Sequence, residues 1–228
     1  MIFVAKMARS FMALGLFAGL FLTGGMAYAV TVPFERITGN SSADAASQLL
    51  LDATDDTANN RALLSFSVVA GPNPGANIAE IYFSDLAGLF APPPSVVSAT
   101  GNVSFETGVA QPGNVPGANN ASPPFVTTDG LLAQADGNNA TGVSVGESIV
   151  LGLTYIGGAD FLDLLTALGN GDFRIALHVR SLLGGTSDSF VSTPPGVVPL
   201  PAGGLLLLTG LGALGWIRRD KPTVVRYM

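Results

Sequence analysis

The sequence predicts an all-β domain, a β-sandwich of the jelly-roll or Ig-like kind carrying one short helix. Three observations predict it. Ile149, Leu151, Leu153 and Tyr155 alternate with Ser148, Val150, Gly152 and Thr154, and a period of two buries one face of a strand. Leu64, Phe66 and Val68 repeat the pattern with Ser65 and Ser67 opposite, so two half-buried sheets facing each other across a core follow. Clusters of Gly, Pro, Asn and Asp interrupt the chain at short intervals, the punctuation of strands joined by turns.

Taken in order, strands are expected near residues 32–37, 49–52, 62–69, 79–83, 96–100, 102–107, 148–155 and 173–181, each rich in Val, Ile, Leu, Phe or Ser. One helix interrupts them. Phe161, Leu164, Leu165 and Leu168 recur at helical spacing, Asp160 stands where a cap is needed, and Gly169 can end the helix. Such a helix would lie across an open edge or end of the sandwich. Residues 112–124, with Gly113, Gly117, Asn119, Asn120 and paired prolines, read as a long loop within the domain. Pro194 and Pro195 stiffen a linker over 192–197, which places the exported domain at 30–191.

Both termini read as membrane-directed segments. Lys6 and Arg9 precede an apolar run from Phe11 to Leu22, and Ala27-Tyr28-Ala29 supplies an A-x-A cleavage site before Val30. Residues 1–29 are therefore a predicted secretory signal peptide, a substrate of signal peptidase. At the other end, Leu200 to Ile217 is apolar and glycine-rich, and its 18 residues reach about 27 Å as a helix, enough to span a bilayer. Gly203, Gly204, Gly210, Gly212 and Gly215 are tolerated in such a helix. Arg218, Arg219 and Lys221 follow at once, and the positive-inside tendency puts them and the tail 222–228 in the cytoplasm.

Val198-Pro199-Leu200-Pro201-Ala202, the apolar segment and Arg218-Arg219 stand in that order over 198–221. Together they resemble the VPLPA variant of the PEP-CTERM sorting signal. The resemblance implies a bacterial envelope protein that passes through the inner membrane and is processed near the proline motif by an exosortase. Bearers of such tails are commonly linked to exopolysaccharide and biofilm. A second similarity lies in the strand Phe173 to Leu182, followed by Gly184-Gly185 and Ser187-Asp188-Ser189-Phe190. A strand with such a closing segment recurs before the tail in this exported class.

Charge excludes some functions. Residues 30–197 hold fifteen Asp and Glu against four Arg and no Lys, a net of −11, and a surface of that sign repels a phosphate backbone, so no nucleic acid is expected as partner. The same balance keeps the domain soluble and repels anionic lipid. The chain has no cysteine, so packing alone holds it and thiol chemistry is excluded.

The only histidine, His178, shares one face of its strand with Arg174, Ala176 and Arg180, while Phe173, Ile175, Leu177 and Val179 share the other. Arg174, His178 and Arg180 are a candidate binding face for an anion or sugar acid. The alternative is that they pair with carboxylates on neighbouring strands. Gly142-Val143-Ser144-Val145-Gly146 matches the G-x-S-x-G elbow, yet an elbow leads from a strand into a helix, whereas Ser144 leads into a strand. A glycosidase needs two carboxylates at no particular sequence spacing, but the domain has no Trp and only Tyr82 and Tyr155 as tyrosines to make sugar platforms. His/Cys spacing for zinc is missing. Oxygen-rich turns at Asp52, Asp55 and Asp56, at Asp136-Gly137-Asn138 and at Asn170-Gly171-Asp172 offer carboxylates to calcium, and none matches a full calcium-loop pattern. The expectation is a non-enzymatic surface or matrix protein without a cofactor, whose partners are signal peptidase, the sorting enzyme and extracellular polysaccharide. Its rivals are a sugar- or calcium-binding adhesin and a secreted polysaccharide hydrolase.

Overall fold

The computed structural model describes residues 29–108 and 113–195. The leader up to Tyr28, the sorting motif Val198 to Ala202, the apolar span and the basic stop lie outside the described residues. Within them the chain is all-β. Strands β1 (Ala29–Thr31), β3 (Leu49–Asp56), β4 (Arg61–Val68), β10 (Ser148–Tyr155) and β6 (Phe90–Ala99) form one sheet in the order β1-β3-β4-β10-β6. The second sheet runs in the order β2 (Phe34–Arg36), β12 (Thr186–Ser192), β11 (Phe173–Leu182), β5 (Asn77–Asp85), β8 (Leu132–Ala135) and β7 (Phe105–Thr107). β9 (Val143–Ser144) also pairs with β5. Strand pairing is antiparallel throughout both sheets.

The alternation places the core. Leu49, Leu51, Leu64, Phe66, Ile149, Leu151 and Leu153 from the first sheet and Ile81, Phe83, Phe173, Ile175, Leu177 and Val179 from the second belong to one buried cluster. Aromatic rings link the sheets toward one end. Phe66 meets Phe83 edge-on at 6.3 Å, Phe83 stacks on Phe173 at 6.1 Å, and Phe90 lies 5.1 Å from Phe173 and 5.3 Å from Tyr155.

Several expectations need correction. The strand expected over 32–37 is shorter, β2 over Phe34–Arg36, and is set apart from β1 (Ala29–Thr31) of the other sheet, because Pro33 has no N–H to continue a ladder. The strand expected at 96–100 starts earlier, at Phe90, and passes through Pro92, Pro93 and Pro94 because β6 is an edge strand, where missing donors are tolerated. Asp160 does cap the helix, α2 (Phe161–Asn170), with a reciprocal capping box to Asp163. Gly171 rather than Gly169 ends it, because the left-handed turn with φ of 85° falls there. Ser192, expected in the linker, belongs to β12, and the Thr193 amide still bonds the Pro33 carbonyl at 2.9 Å. The short helix α1 (Asp136–Asn139) and strands β1, β8, β9 and β12 have no counterpart among the expected elements.

The loop after β7 is the largest departure from a simple sandwich. Val115, Ala118, Ala121 and Phe125 pack with Tyr82, Leu132, Ala176 and Val191 in a second buried cluster on the outer face of the larger sheet. β5 is consequently buried at every position. No helix among the described residues is long and apolar enough to cross a membrane.

Candidate functional site

The outer face of β11 carries the candidate binding residues, and the structure separates them. Arg174 is buried under the covering loop, where its Nη1 donates to the Pro123 carbonyl at 2.8 Å and its guanidinium lies 5.6 Å from the centre of the Phe125 ring. Burial pulls its pKa down from the usual guanidinium range, against the charge of Glu35. Its donors anchor a loop.

His178 and Arg180 meet a carboxylate instead. Glu80 stands directly opposite His178 in the β5–β11 register, and its Oε2 lies 2.6 Å from His178 Nδ1. A carboxylate only accepts, so Nδ1 carries the proton in this pair. Tyr82 donates its phenol proton to the same oxygen at 2.9 Å, and Arg180 Nη2 approaches the other at 3.5 Å. Burial pushes the Glu80 carboxyl up, but the bond to His178 and its charge, with Tyr82 and Arg180, hold it below the usual carboxylate range. Burial and the Glu80 charge push the Tyr82 phenol up. Glu80 and Tyr82 were invisible as site residues from sequence, since pairing over a separation of 98 residues leaves no local pattern.

On its other side His178 faces Ser189 of β12, in register. Glu80, His178 and Ser189 thus form a row across three strands, and Ser189 Oγ has no hydrogen-bond partner among the described residues. Ser189 is 1% exposed. Its amide donates to Thr38 Oγ1 at 2.8 Å and its carbonyl accepts from Ile37 at 2.9 Å, so the segment after β2 shields it. Asp188 beside it is equally buried and holds that segment, accepting from Thr38 Oγ1, the Asn40 amide and the Ser41 amide, with Arg36 at 3.6 Å. A shallow polar cleft of about 530 Å3 opens beside His178 and Arg180, lined by Ser181, Gly185, Thr186 and Ser187.

Ser144 lies elsewhere. β5 stands between β9 and β11, Asn77 Nδ2 donates to Ser144 Oγ at 3.0 Å, and the Ser144 amide donates to Glu147 at 3.0 Å. Most carboxylates of the oxygen-rich turns accept hydrogen bonds, but Asp136, whose Oδ2 accepts from Ser104, keeps a buried Oδ1 with no partner among the described residues. Asp52 accepts from Thr31, Asp55 from Thr57, Asp56 from Asn59 and Arg61, and Asp172 from Asn170. Among the described residues no three metal-capable side chains converge. Of the processing residues, only Ala29 and Val30 are described, and they open β1, paired with Thr54 and Ala53.

An all-β domain with a covered outer sheet face and a buried Glu–His pair is the class that these features define. The chain matches no family model, no curated protein and no solved structure.

Proposed function

We propose that this chain is a non-enzymatic, exported surface or matrix protein. Signal peptidase acts after Ala29, an exosortase-type enzyme acts on the tail at Val198 to Ala202, and the product is a β-sandwich of the jelly-roll or Ig-like kind. The carrying observation is the sequence of features in the tail: a proline motif, an apolar segment of membrane length, then Arg218, Arg219 and Lys221. The Sec-type leader at the opposite terminus supports the same route.

Features of the domain favour a structural over a catalytic role. Ser189, the hydroxyl beside the Glu80–His178 pair, is sealed, and Ser144 is engaged by Asn77. Of the two arginines of the candidate face, Arg174 is buried against the Pro123 carbonyl and Arg180 approaches Glu80 at 3.5 Å. An extracellular polysaccharide would then be met through exposed hydroxyls and amides, such as those of the cleft at Ser181, Thr186 and Ser187, rather than through a deep pocket.

The test is mass spectrometry of the mature ends, in hosts with and without the sorting enzyme. A mature chain starting at Val30 and ending within or near 198–202 only when the enzyme is present is the expected result. An intact Met228 in both hosts would overturn it and leave a plain membrane-anchored protein.

A further inference from the structure

Both predicted membrane segments leave the domain at the same pole, and helix α2 lies between the two exits. Thr193, next to the linker, bonds Pro33, two residues after β1. On one flank of α2, a groove of about 150 Å3 brings Leu168 and Asn170 beside Thr193 and Pro194. On the other flank, a groove of about 300 Å3 is lined by Phe161, Leu162, Leu165 and Asp55, and Asp55 adjoins Thr54, the partner of Ala29.

This pole also presents apolar side chains. Leu162 is 69% exposed, Leu86 72% and Ile156 44%. Leu86 is tied to Asp172 just beyond the helix, and Ile156 to Leu89 just before it. Their rim is acidic. Asp55, Asp160 and Asp163 bear on Tyr155 together and raise its phenol pKa after burial has done so. Among the described residues, the arginines form ion pairs with Asp56, Asp188 and Glu80 and with none of these three.

We propose that the α2 pole is a docking surface for the enzyme that processes the tail, engaged through an apolar pocket with a Lys/Arg rim on that partner. This rests on the sorting reading above. The partner's chemistry follows from charge: carboxylates that no arginine of the described residues pairs with, set around apolar side chains, disfavour an anionic bilayer and favour a cationic protein surface. Its position follows from the two exits, which hold this pole toward the membrane for as long as the tail is uncut. Docking would raise the local concentration of the proline motif at the enzyme by tethering.

The full chain is followed by pulse–chase in cells that process it, as wild type, Leu162→Lys, Leu86→Lys, and the opposite-pole controls Val69→Lys and Leu183→Lys. All four positions are exposed, and unchanged thermal midpoints of the purified proteins confirm folding. The expected result is cleavage slowed about tenfold or more in the first two, equivalent to about 1.4 kcal/mol of lost recognition, and unchanged in the controls. Cleavage at the wild-type rate in all four, or equal slowing in all four, would overturn the proposal. Pro199→Ala with Pro201→Ala separates the two readings: if that variant is still cut, the sorting reading fails, and if it is not while the α2-pole variants are, only the docking proposal fails. A photo-crosslinker at Leu162 should form an adduct that is lost when the processing enzyme is deleted. An adduct with lipid or with the chain's own residues 196–228 would overturn the proposal.

Discussion

Glu80 has three donors aimed at it on a face that the covering loop helps to close, so its charge is held by His178, Tyr82 and Arg180 rather than by water. Its pKa is lowered in the fold, so the ionised form binds the native state better. The stability that results is present above the unfolded carboxyl pKa of about 4.5 and is lost as pH falls through the folded value. Wild type should therefore lose stability on acidification below about pH 4.5 more steeply than Glu80→Gln, measured as thermal midpoint against pH. At neutral pH Glu80→Gln should be less stable by about 1–3 kcal/mol, because His178 loses its acceptor charge in a buried setting. Equal acid slopes would show that Glu80 is not the group involved. Gly142 makes a second residue-level case: a Cβ there would sit 2.1 Å from Asn77 Oδ1 and 2.4 Å from the Ile78 carbonyl. Gly142→Ala must push β9 off β5 and should cost about 1–3 kcal/mol, read from urea unfolding. A neutral result would mean that the edge yields freely.

At the scale of elements, legibility follows how local the determining interaction is. α2 was readable because its cap and its apolar stripe lie within a dozen residues, and Asp160 indeed accepts from the Leu162 and Asp163 amides; its stop was not, falling at Gly171, two residues beyond the glycine expected. Asp160→Ala should cost about 1 kcal/mol, a fall of about 2–4 °C in midpoint for a domain of this size. No change would mean that packing of Phe161 and Leu164 alone sets the helix start. β11 was readable for the same reason, with Ile175, Leu177 and Val179 inward and Arg174, His178 and Arg180 outward. β12 was not. Thr186-Ser187-Asp188-Ser189 is polar in sequence, yet Asp188 and Ser189 are buried because Thr38, Asn40 and Ser41 turn back to meet them over nearly 150 residues. The fate of the outer face of β5 was half-announced: Ile78 to Phe83 lacks alternation, the mark of a strand buried on both faces. What would cover it, the loop through Val115 and Phe125, is a tertiary fact without period or motif.

For the whole molecule, the consequence of the topology is that one continuous segment ties the sheets together next to both exits. β1 pairs with β3 of the first sheet, Pro33 turns the chain across the corner, and β2 pairs with β12 of the second, where the chain leaves. Thr31 is two residues from the Pro33 carbonyl that the Thr193 amide bonds, which puts Thr31 and Thr193 within roughly 10–12 Å at strand rise. From Thr193 to the hairpin at Gly185, by contrast, β12 spans seven residues, or about 23 Å and more. The chain has no cysteine, so pairs of introduced thiols report without background. Nitroxides at Thr31→Cys and Thr193→Cys should couple strongly in continuous-wave spectra, whereas Thr193→Cys with Gly185→Cys should require pulsed measurement and return a distance beyond about 20 Å. The near pair alone decides the geometry on which a tethered pole depends. If those labels are as far apart as the distal pair, leader and tail leave from opposite ends, and α2 does not face the membrane.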